Sequence, residues 1–110
     1  MRFVNKLTTM VAVIAMIASV PAFATTEWNK TIQAVGTVQD GGASFVIFNE
    51  ALSVSCQGGL VSLADPSTNG GKAMLAALLS AQAAGKGVQR IDYSQVASGA
   101  CAASMIVVGP

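Results

Sequence analysis

Apolar and polar residues alternate along much of the chain after residue 25, a pattern typical of strands that bury one face. The alternation is interrupted by three Gly-Gly pairs and predicts strands at residues 28–38, 45–56, 60–63, 88–95 and 103–108. Within the second of these, Leu52, Val54 and Cys56 share one face. The pattern therefore predicts a mainly β domain of five strands.

One segment, residues 72–84, has helical spacing instead. The polar residues before it supply candidate N-caps, and Gly85 fits the left-handed position that ends many helices. The resulting order, β-β-β-α-β-β, is that of the OB-fold, a partly open five-stranded barrel. The sequence thus predicts an OB-like barrel, and a small α+β sheet with one packed helix is the alternative.

The start of the chain has the pattern of a cleavable signal peptide. Basic residues precede an unbroken apolar run at residues 10–18, which is too short to span a bilayer. Ala22 and Ala24 form the small-x-small pattern that signal peptidase recognises, so cleavage is expected between Ala24 and Thr25. We therefore expect residues 1–24 to direct export, to the periplasm or beyond, and to leave no membrane span after cleavage.

Residues 25–110 are then one small domain with few, scattered charges. Their formal charge is −1, from Lys30, Lys72, Lys86, Arg90, Glu27, Asp40, Glu50, Asp65 and Asp92. Binding to nucleic acid needs a basic patch or stripe, and binding to anionic lipid needs a polybasic cluster. The sequence has neither, so we expect no nucleic-acid partner.

The two cysteines, Cys56 and Cys101, both belong to the predicted domain. In a small exported domain an even pair is most simply a disulfide, and whether it forms within one chain stays open at this point. A disulfide that closes the loop from Cys56 to Cys101 lowers the entropy of the unfolded chain and so stabilises the folded domain by about 4 kcal/mol. Because the sequence has no His and no Cys-x-x-Cys, we expect neither a zinc site nor a thioredoxin-type redox motif.

Catalytic groups are scarce in this composition. The absence of His removes the Ser-His and Cys-His pairs of nucleophilic catalysis. The five carboxylates are dispersed along the sequence, with no near pair for glycoside hydrolysis and no Asp-rich loop for calcium. We therefore expect a protein that is not an enzyme and that holds no cofactor and no metal.

Trp28 and Tyr93, the sole Trp and Tyr of the chain, are the candidate ligand-binding residues. Aromatic rings of this kind stack on sugars or on partner side chains, and placement in the core or at a sheet edge is the alternative. Asn29-Lys30-Thr31 matches the acceptor motif for N-linked glycans. Because the signal segment is bacterial in style, the sequence favours a chance match for this motif.

One side of the predicted helix carries small residues, namely Ala73, Ala76, Ala77 and Ser80. An exposed helix face usually carries Glu and Lys. Two explanations stay open, because Ala has the highest helix propensity and because a smooth face also suits packing against another subunit. The second explanation predicts an oligomer interface on this face.

The stretch at residues 71–91 reads Gly-Lys-Ala-Met-Leu-Ala-Ala-Leu-Leu-Ser-Ala-Gln-Ala-Ala-Gly-Lys-Gly-Val-Gln-Arg-Ile. A Leu- and Ala-rich helix that ends in Gly-Lys, followed by a strand beginning with Val and by a late Cys, resembles the B subunits of bacterial A–B toxins such as subtilase cytotoxin. The resemblance implies an OB-fold, a pentameric ring and binding to host glycans. No sugar-contacting residue of those subunits can be matched to a position here, so none is carried over.

Together these features predict an exported, non-enzymatic binding domain. The resemblance implies a ring-forming homo-oligomer that binds a glycan or protein partner. A monomeric periplasmic protein that binds or inhibits one partner is the alternative.

Overall fold

A computed structural model describes residues 24–38 and 43–110, which form six strands and one α-helix. The strands are β1 (Thr25–Lys30), β2 (Ile32–Thr37), β3 (Ser44–Phe48), β4 (Val61–Ser62), β5 (Gly87–Gln95) and β6 (Cys101–Gly109). The helix α1 is Asn69–Ala83, and a short 3-10 helix covers Gln57–Gly59. The prediction of a mainly β domain with one helix is confirmed. The predicted signal peptide lies outside the described residues except for Ala24.

The strands form one open sheet in the order β1-β5-β6-β4-β3-β2. Neighbouring strands are antiparallel except β4 and β6, which are parallel. The prediction of five strands is wrong, and the described sheet is not a closed barrel.

The sixth strand arises because the predicted strand at residues 28–38 is divided at Thr31 into β1 and β2. Asn29 has a φ of 55°, a left-handed conformation that Asn adopts more readily than most residues. The Thr31 N–H donates to the Glu50 carboxylate at 2.6 Å, and the Thr31 carbonyl accepts from the Asn49 N–H at 3.0 Å. The two halves consequently pair with different neighbours, β1 with β5 and β2 with β3.

This division also shows how the sheet is shaped. β1 and β2 are its two edges, although only Thr31 separates them in the sequence. Neighbouring strands lie about 4.8 Å apart, so the edge strands of a flat sheet of this size would be about 24 Å apart. One residue spans only about 3.5 Å. The sheet is therefore strongly curved, so that the end of β1 and the start of β2 lie next to each other at Thr31 although the two strands are not paired.

The predicted strand over residues 52–56 is wrong, because this segment is a loop between β3 and the 3-10 helix. The alternation of burial is as expected: its apolar residues and Cys56 lie toward the core, and its serines are exposed. The backbone differs because its hydrogen bonds go to a side chain. The Ser53 N–H donates to the Glu27 carboxylate at 2.8 Å rather than to a neighbouring strand.

The helix begins three residues before its predicted start and ends one residue before its predicted end. Thr68 is the N-cap, and its Oγ1 accepts from the Gly71 N–H at 3.0 Å. Gly85 adopts a φ of 72°, and the Lys86 N–H donates to the Ala81 carbonyl at 2.8 Å, which is the Schellman arrangement. The predicted role of Gly85 as the helix stop is therefore confirmed.

The core is built from the sheet, α1 and the loop at residues 52–56. Its fully buried apolar members are Val46, Val61, Leu78, Val88, Ile91, Tyr93 and Cys101. The side of the sheet that faces this core is called the inner face below, and the opposite side the outer face.

Candidate functional site

Trp28, on the outer face of β1, is the most exposed large apolar side chain among the described residues, at 55%. Its register partner on β5 is Arg90. The Arg90 guanidinium lies 5.2 Å from the centroid of the indole ring, which is a cation–π contact. Trp28 is thus held by Arg90 while much of its ring stays accessible.

The guanidinium is in turn held by Asp92. Arg90 Nε and Nη2 donate to the two carboxylate oxygens of Asp92 at 3.1 and 3.0 Å, and Thr26 Oγ1 donates to Asp92 Oδ1 at 2.8 Å. Hydrogen bonds from Arg90, and then from Thr26, lower the pKa of Asp92 below its ordinary value of 3.8. A two-point contact between Arg and a carboxylate fixes the orientation of both groups. We call Trp28, Arg90, Asp92 and Thr26 the Trp28 cluster.

Strand β6 extends the Trp28 cluster across the outer face. Val107 is the register partner of Arg90, and Met105 is that of Asp92. Val107 is 38% exposed, and Met105 is half-buried. The outer face therefore carries apolar surface on both sides of a charge-neutral Arg–Asp pair.

A second polar cluster lies on the inner face of the same two strands. Its centre is Glu27, which is 9% exposed. The Tyr93 hydroxyl donates to Glu27 Oε2, as do the Ser53 N–H at 2.8 Å and Ser53 Oγ at 3.0 Å, and Lys30 Nζ lies 3.1 Å from Oε1. We call Glu27, Tyr93, Ser53 and Lys30 the Glu27 cluster.

The pKa values in the Glu27 cluster shift in opposite directions. Burial disfavours the charged form of Glu27, but the hydrogen bonds from Tyr93, Ser53 and Lys30 outweigh it and lower its pKa below the ordinary 4.5. Burial raises the pKa of Tyr93 above 10.0, and its hydrogen bond to Glu27 raises it further. At neutral pH the pair is therefore a carboxylate and a neutral phenol, which is the stable combination for a donor and an acceptor.

A third set of polar contacts lies beside the β1–β2 junction. Thr31 Oγ1 donates to Glu50 Oε2 at 2.7 Å and accepts from Asn49 Nδ2 at 2.8 Å. Lys30 Nζ donates to the Ala51 carbonyl at 3.1 Å. Together with the contact between Glu27 and Ser53, these bonds hold the loop that follows β3 against the junction.

The structure separates the two aromatic residues that the sequence offered as ligand contacts. Trp28 is on the outer face, whereas Tyr93 is fully buried with its hydroxyl in the Glu27 cluster. Tyr93 therefore has no accessible ring surface for stacking, and its alternative placement in the core is the one found. Trp28 remains the candidate ligand contact.

The small-residue side of α1 is partly exposed. Ala73, Ala76 and Ser80 are exposed, and Ala77 is half-buried. Leu79 joins this exposed side and is 47% exposed, whereas Leu78 is fully buried. The helix thus presents a mostly apolar surface that is free of charged side chains at these positions.

Cys56 and Cys101 form a disulfide within the chain. Both cysteines belong to the core, and the bond joins the loop after β3 to the first residue of β6. The same loop is held by the Gln95 side chain, whose Nε2 donates to the Ser55 carbonyl at 2.7 Å. The predicted disulfide is confirmed, and the question of its pairing is settled in favour of a single chain.

Two further features, a metal site and a membrane-spanning helix, are not found in the described residues. Within residues 24–38 and 43–110, no three His, Cys, Asp or Glu side chains come together as a group that could hold a metal ion. In the same residues, α1 is neither long nor apolar enough to cross a bilayer.

A groove of about 470 Å³ lies beside the β1–β2 junction and is lined by Asn29, Lys30, Thr31, Gly85, Lys86, Gly87, Val88, Gly109 and Pro110.

Comparison of the chain with protein-family models, curated proteins and solved structures finds no match. The assignment of a function therefore rests on the geometry of the chain's own residues.

Sequence reasoning missed Arg90 and Asp92 as parts of the candidate site. A signal for the pair was present, because Arg90 and Asp92 are two residues apart in a predicted strand and so share a face. What the sequence lacked was the register that places Trp28 opposite Arg90.

Proposed function

We propose that this protein is an exported, non-enzymatic binding domain and that the Trp28 cluster contacts its ligand. The observation that carries the proposal is the 55% exposure of a Trp whose ring is already held by Arg90. A large aromatic ring left in water costs free energy that a ligand recovers by covering it. Because the contact between Arg90 and Asp92 fixes the surroundings of the ring, little side-chain entropy is lost on binding.

A glycan is the ligand class we place first. The apolar face of a sugar ring stacks on Trp, and beside Trp28 the cluster offers the Arg90 guanidinium and the Asp92 carboxylate as hydrogen-bonding groups. The two charges of the pair offset each other, which suits a ligand without a strong net charge. The resemblance of residues 71–91 to toxin B subunits supports the same ligand class.

The finer fold assignment is part of this proposal. We infer an OB-like arrangement in which β1 and β2 act as one bent first strand. Its support is the single-residue connection at Thr31 and the parallel pairing of β4 with β6. The intrachain disulfide supports export, since disulfides persist in oxidising compartments.

Assembly into a ring, with a pentamer as the expected size, is the further part that the resemblance implies. The exposed side of α1 that carries Ala73, Ala76 and Ser80 is the surface we assign to it, with Lys72 at its N-terminal end. Ala76→Glu and Ser80→Glu are expected to leave a folded monomer, because both positions are exposed. Ala77→Glu is a poorer test, since Ala77 is half-buried and its replacement also disturbs packing. Gln82→Glu, at an exposed position outside the small-residue set, is the matched control in native mass spectrometry.

A monomeric periplasmic protein that binds or inhibits one partner is the second candidate function. The observation that favours it is the row Trp28, Arg90 and Val107 on the outer face. Trp and Arg are the residues most enriched where protein interfaces concentrate their binding energy. A monomer in native mass spectrometry, together with a silent glycan array, is the result this candidate predicts.

The binding test uses a glycan array followed by fluorescence titration of each glycan that binds. Because Trp28 is the sole Trp, its fluorescence reports binding at this position in the wild type and in the control, and isothermal titration calorimetry measures the affinity of the Trp28 variants. We expect Trp28→Ala to abolish binding and Trp28→Phe to retain part of it. Val96→Ala, which removes another exposed apolar side chain outside the Trp28 cluster, is the matched control. Unchanged affinity in Trp28→Ala contradicts the proposal.

A further inference from the structure

The turn between β1 and β2 carries the Asn29-Lys30-Thr31 motif, and its placement changes how the motif is interpreted. Asn29 is exposed and has a φ of 55°. The register of β1 on β5 pairs Trp28 with Arg90 and Lys30 with Val88, and it passes over Asn29. An acceptor asparagine for N-linked glycans is expected on the surface of an exported protein, in a loop or turn. Asn29 has this placement.

The folded domain also leaves room for a sugar on the Asn29 side chain. Among the described residues, its carboxamide makes no hydrogen bond, whereas the neighbouring Lys30 and Thr31 side chains are both engaged. Asn29 lines the groove of about 470 Å³ beside the junction, whose other walls are largely glycine and lysine. A sugar attached at this position therefore has open space next to it and displaces no packed side chain.

We propose that Asn29 is the acceptor of an N-linked oligosaccharide. In the reaction, Asn29 Nδ2 forms a bond to the anomeric carbon of a sugar carried on a lipid diphosphate, and the bond from that carbon to the diphosphate oxygen breaks. The lipid diphosphate leaves, and the amide loses one proton. The inference rests on the proposed export, because the lipid-linked donor and its transferase act at the export membrane.

The structure also assigns an order to modification and folding. The hydroxyl of the motif's third residue takes part in acceptor recognition by the transferase, and in the folded domain Thr31 Oγ1 is bonded to Glu50 and Asn49. Its backbone N–H is bonded to Glu50 as well. The motif is therefore open to the enzyme only before the loop that follows β3 closes on the junction.

The experiment expresses the full chain in bacteria that carry an asparagine-linked oligosaccharyltransferase with its lipid-linked donor, and in matched cells with an inactive transferase. Intact mass and glycopeptide mass spectrometry report modification, signal removal and disulfide formation in one preparation. We expect added glycan mass on Asn29, lost in Asn29→Gln and Thr31→Ala and retained in Thr31→Ser. Glu50→Gln, which weakens the hold on Thr31, is expected to raise the modified fraction, whereas Asp65→Asn, an exposed acid away from the junction, is expected to leave it unchanged.

Each outcome has a distinct meaning. A processed, disulfide-bonded chain that stays unmodified, in cells where a control acceptor protein is modified, overturns the assignment of Asn29 and leaves the binding proposal intact. A chain that keeps its first 24 residues overturns export and the glycan acceptor with it. A modified fraction that Glu50→Gln does not raise overturns the order of modification and folding.

Discussion

Two clusters of polar side chains lie on opposite faces of the same strand pair, β1 and β5, and they differ in what surrounds the carboxylate. Glu27 on the inner face is 9% exposed and is bonded to Tyr93 on β5 and to Ser53 in the loop after β3. Asp92 on the outer face bonds to Arg90 and Thr26 within the pair of strands. The first arrangement ties distant parts of the fold together. The second orders a surface beside an exposed Trp. The difference is consistent with the proposal that the inner cluster contributes stability and the outer cluster contributes recognition.

The strongest way to break the inner arrangement is to remove the disulfide. Replacing both Cys56 and Cys101 with Ser is expected to lower the free energy of unfolding by about 4 kcal/mol, because the unfolded chain gains loop entropy. The bond also holds the loop that brings Ser53 to Glu27. Urea unfolding followed by circular dichroism measures the change, and a loss below about 1 kcal/mol contradicts this role.

Removal of the carboxylate at the centre of the inner cluster comes next. Glu27→Ala is expected to cost about 3 kcal/mol, since it leaves the Tyr93 hydroxyl and the Ser53 N–H without their acceptor. Asp92→Ala on the outer face is the matched control and is expected to cost less, because the Arg90 and Thr26 groups that lose their acceptor lie at the surface and can bond to water instead. Equal losses in the two variants would remove the distinction between the clusters.

Lowering the pH protonates Glu27 and so tests how much its carboxylate contributes to the free energy of unfolding. Because folding lowers the pKa of Glu27 below 4.5, its contribution is fully present above that pH and is lost as the pH falls through the lower pKa of the folded state. Wild-type stability is therefore expected to fall below pH 4.5, and Glu27→Gln to reduce the steepness of that fall. Urea unfolding at a series of pH values checks this, and an unaltered slope in Glu27→Gln is the contrary result.

The sole tyrosine offers a spectroscopic view of the inner cluster. The pKa of Tyr93 is raised above 10.0 by burial and by the Glu27 carboxylate. Absorbance at the tyrosinate band should therefore rise only at a pH above the ordinary value, and Glu27→Gln should shift the rise downward. A normal titration in the folded wild type would place Tyr93 in water instead.

The smallest expected effect on stability belongs to the outer face. Trp28→Ala is expected to lower the free energy of unfolding by about 1 kcal/mol or less, because the side chain is more than half exposed and loses mainly its cation–π contact with Arg90. The same variant is expected to lose ligand binding. A large loss of stability would assign Trp28 to the fold rather than to recognition.

Local patterns predicted much of this fold, and long-range contacts account for the remainder. The helix was predictable because its spacing, its N-cap and Gly85 are all local signals. The division of the first strand was not, because it depends on Glu50 and Asn49, which lie about 20 positions after Thr31 in the sequence. The loop at residues 52–56 kept the alternation of a strand while its backbone bonded to a side chain, which no pattern in the sequence distinguishes.

The candidate site shows a similar limit. Alternation on β5 already placed Tyr93 on the same face as Ile91 and opposite Arg90 and Asp92, so its burial was available from the sequence. The case for Trp28 as a ligand contact depends on its cross-strand partner Arg90, which is more than 60 positions away in the sequence. Only the register of β1 on β5 shows that the two residues are partners.

The most direct test of the central claim is a glycan array probed in parallel with the disulfide-bonded wild type and with Trp28→Ala. The account predicts one or more glycans that bind the wild type and not the variant, while both proteins unfold at nearly the same urea concentration. Glycan binding that survives the loss of Trp28, or a wild type that binds none of the glycans, would contradict it.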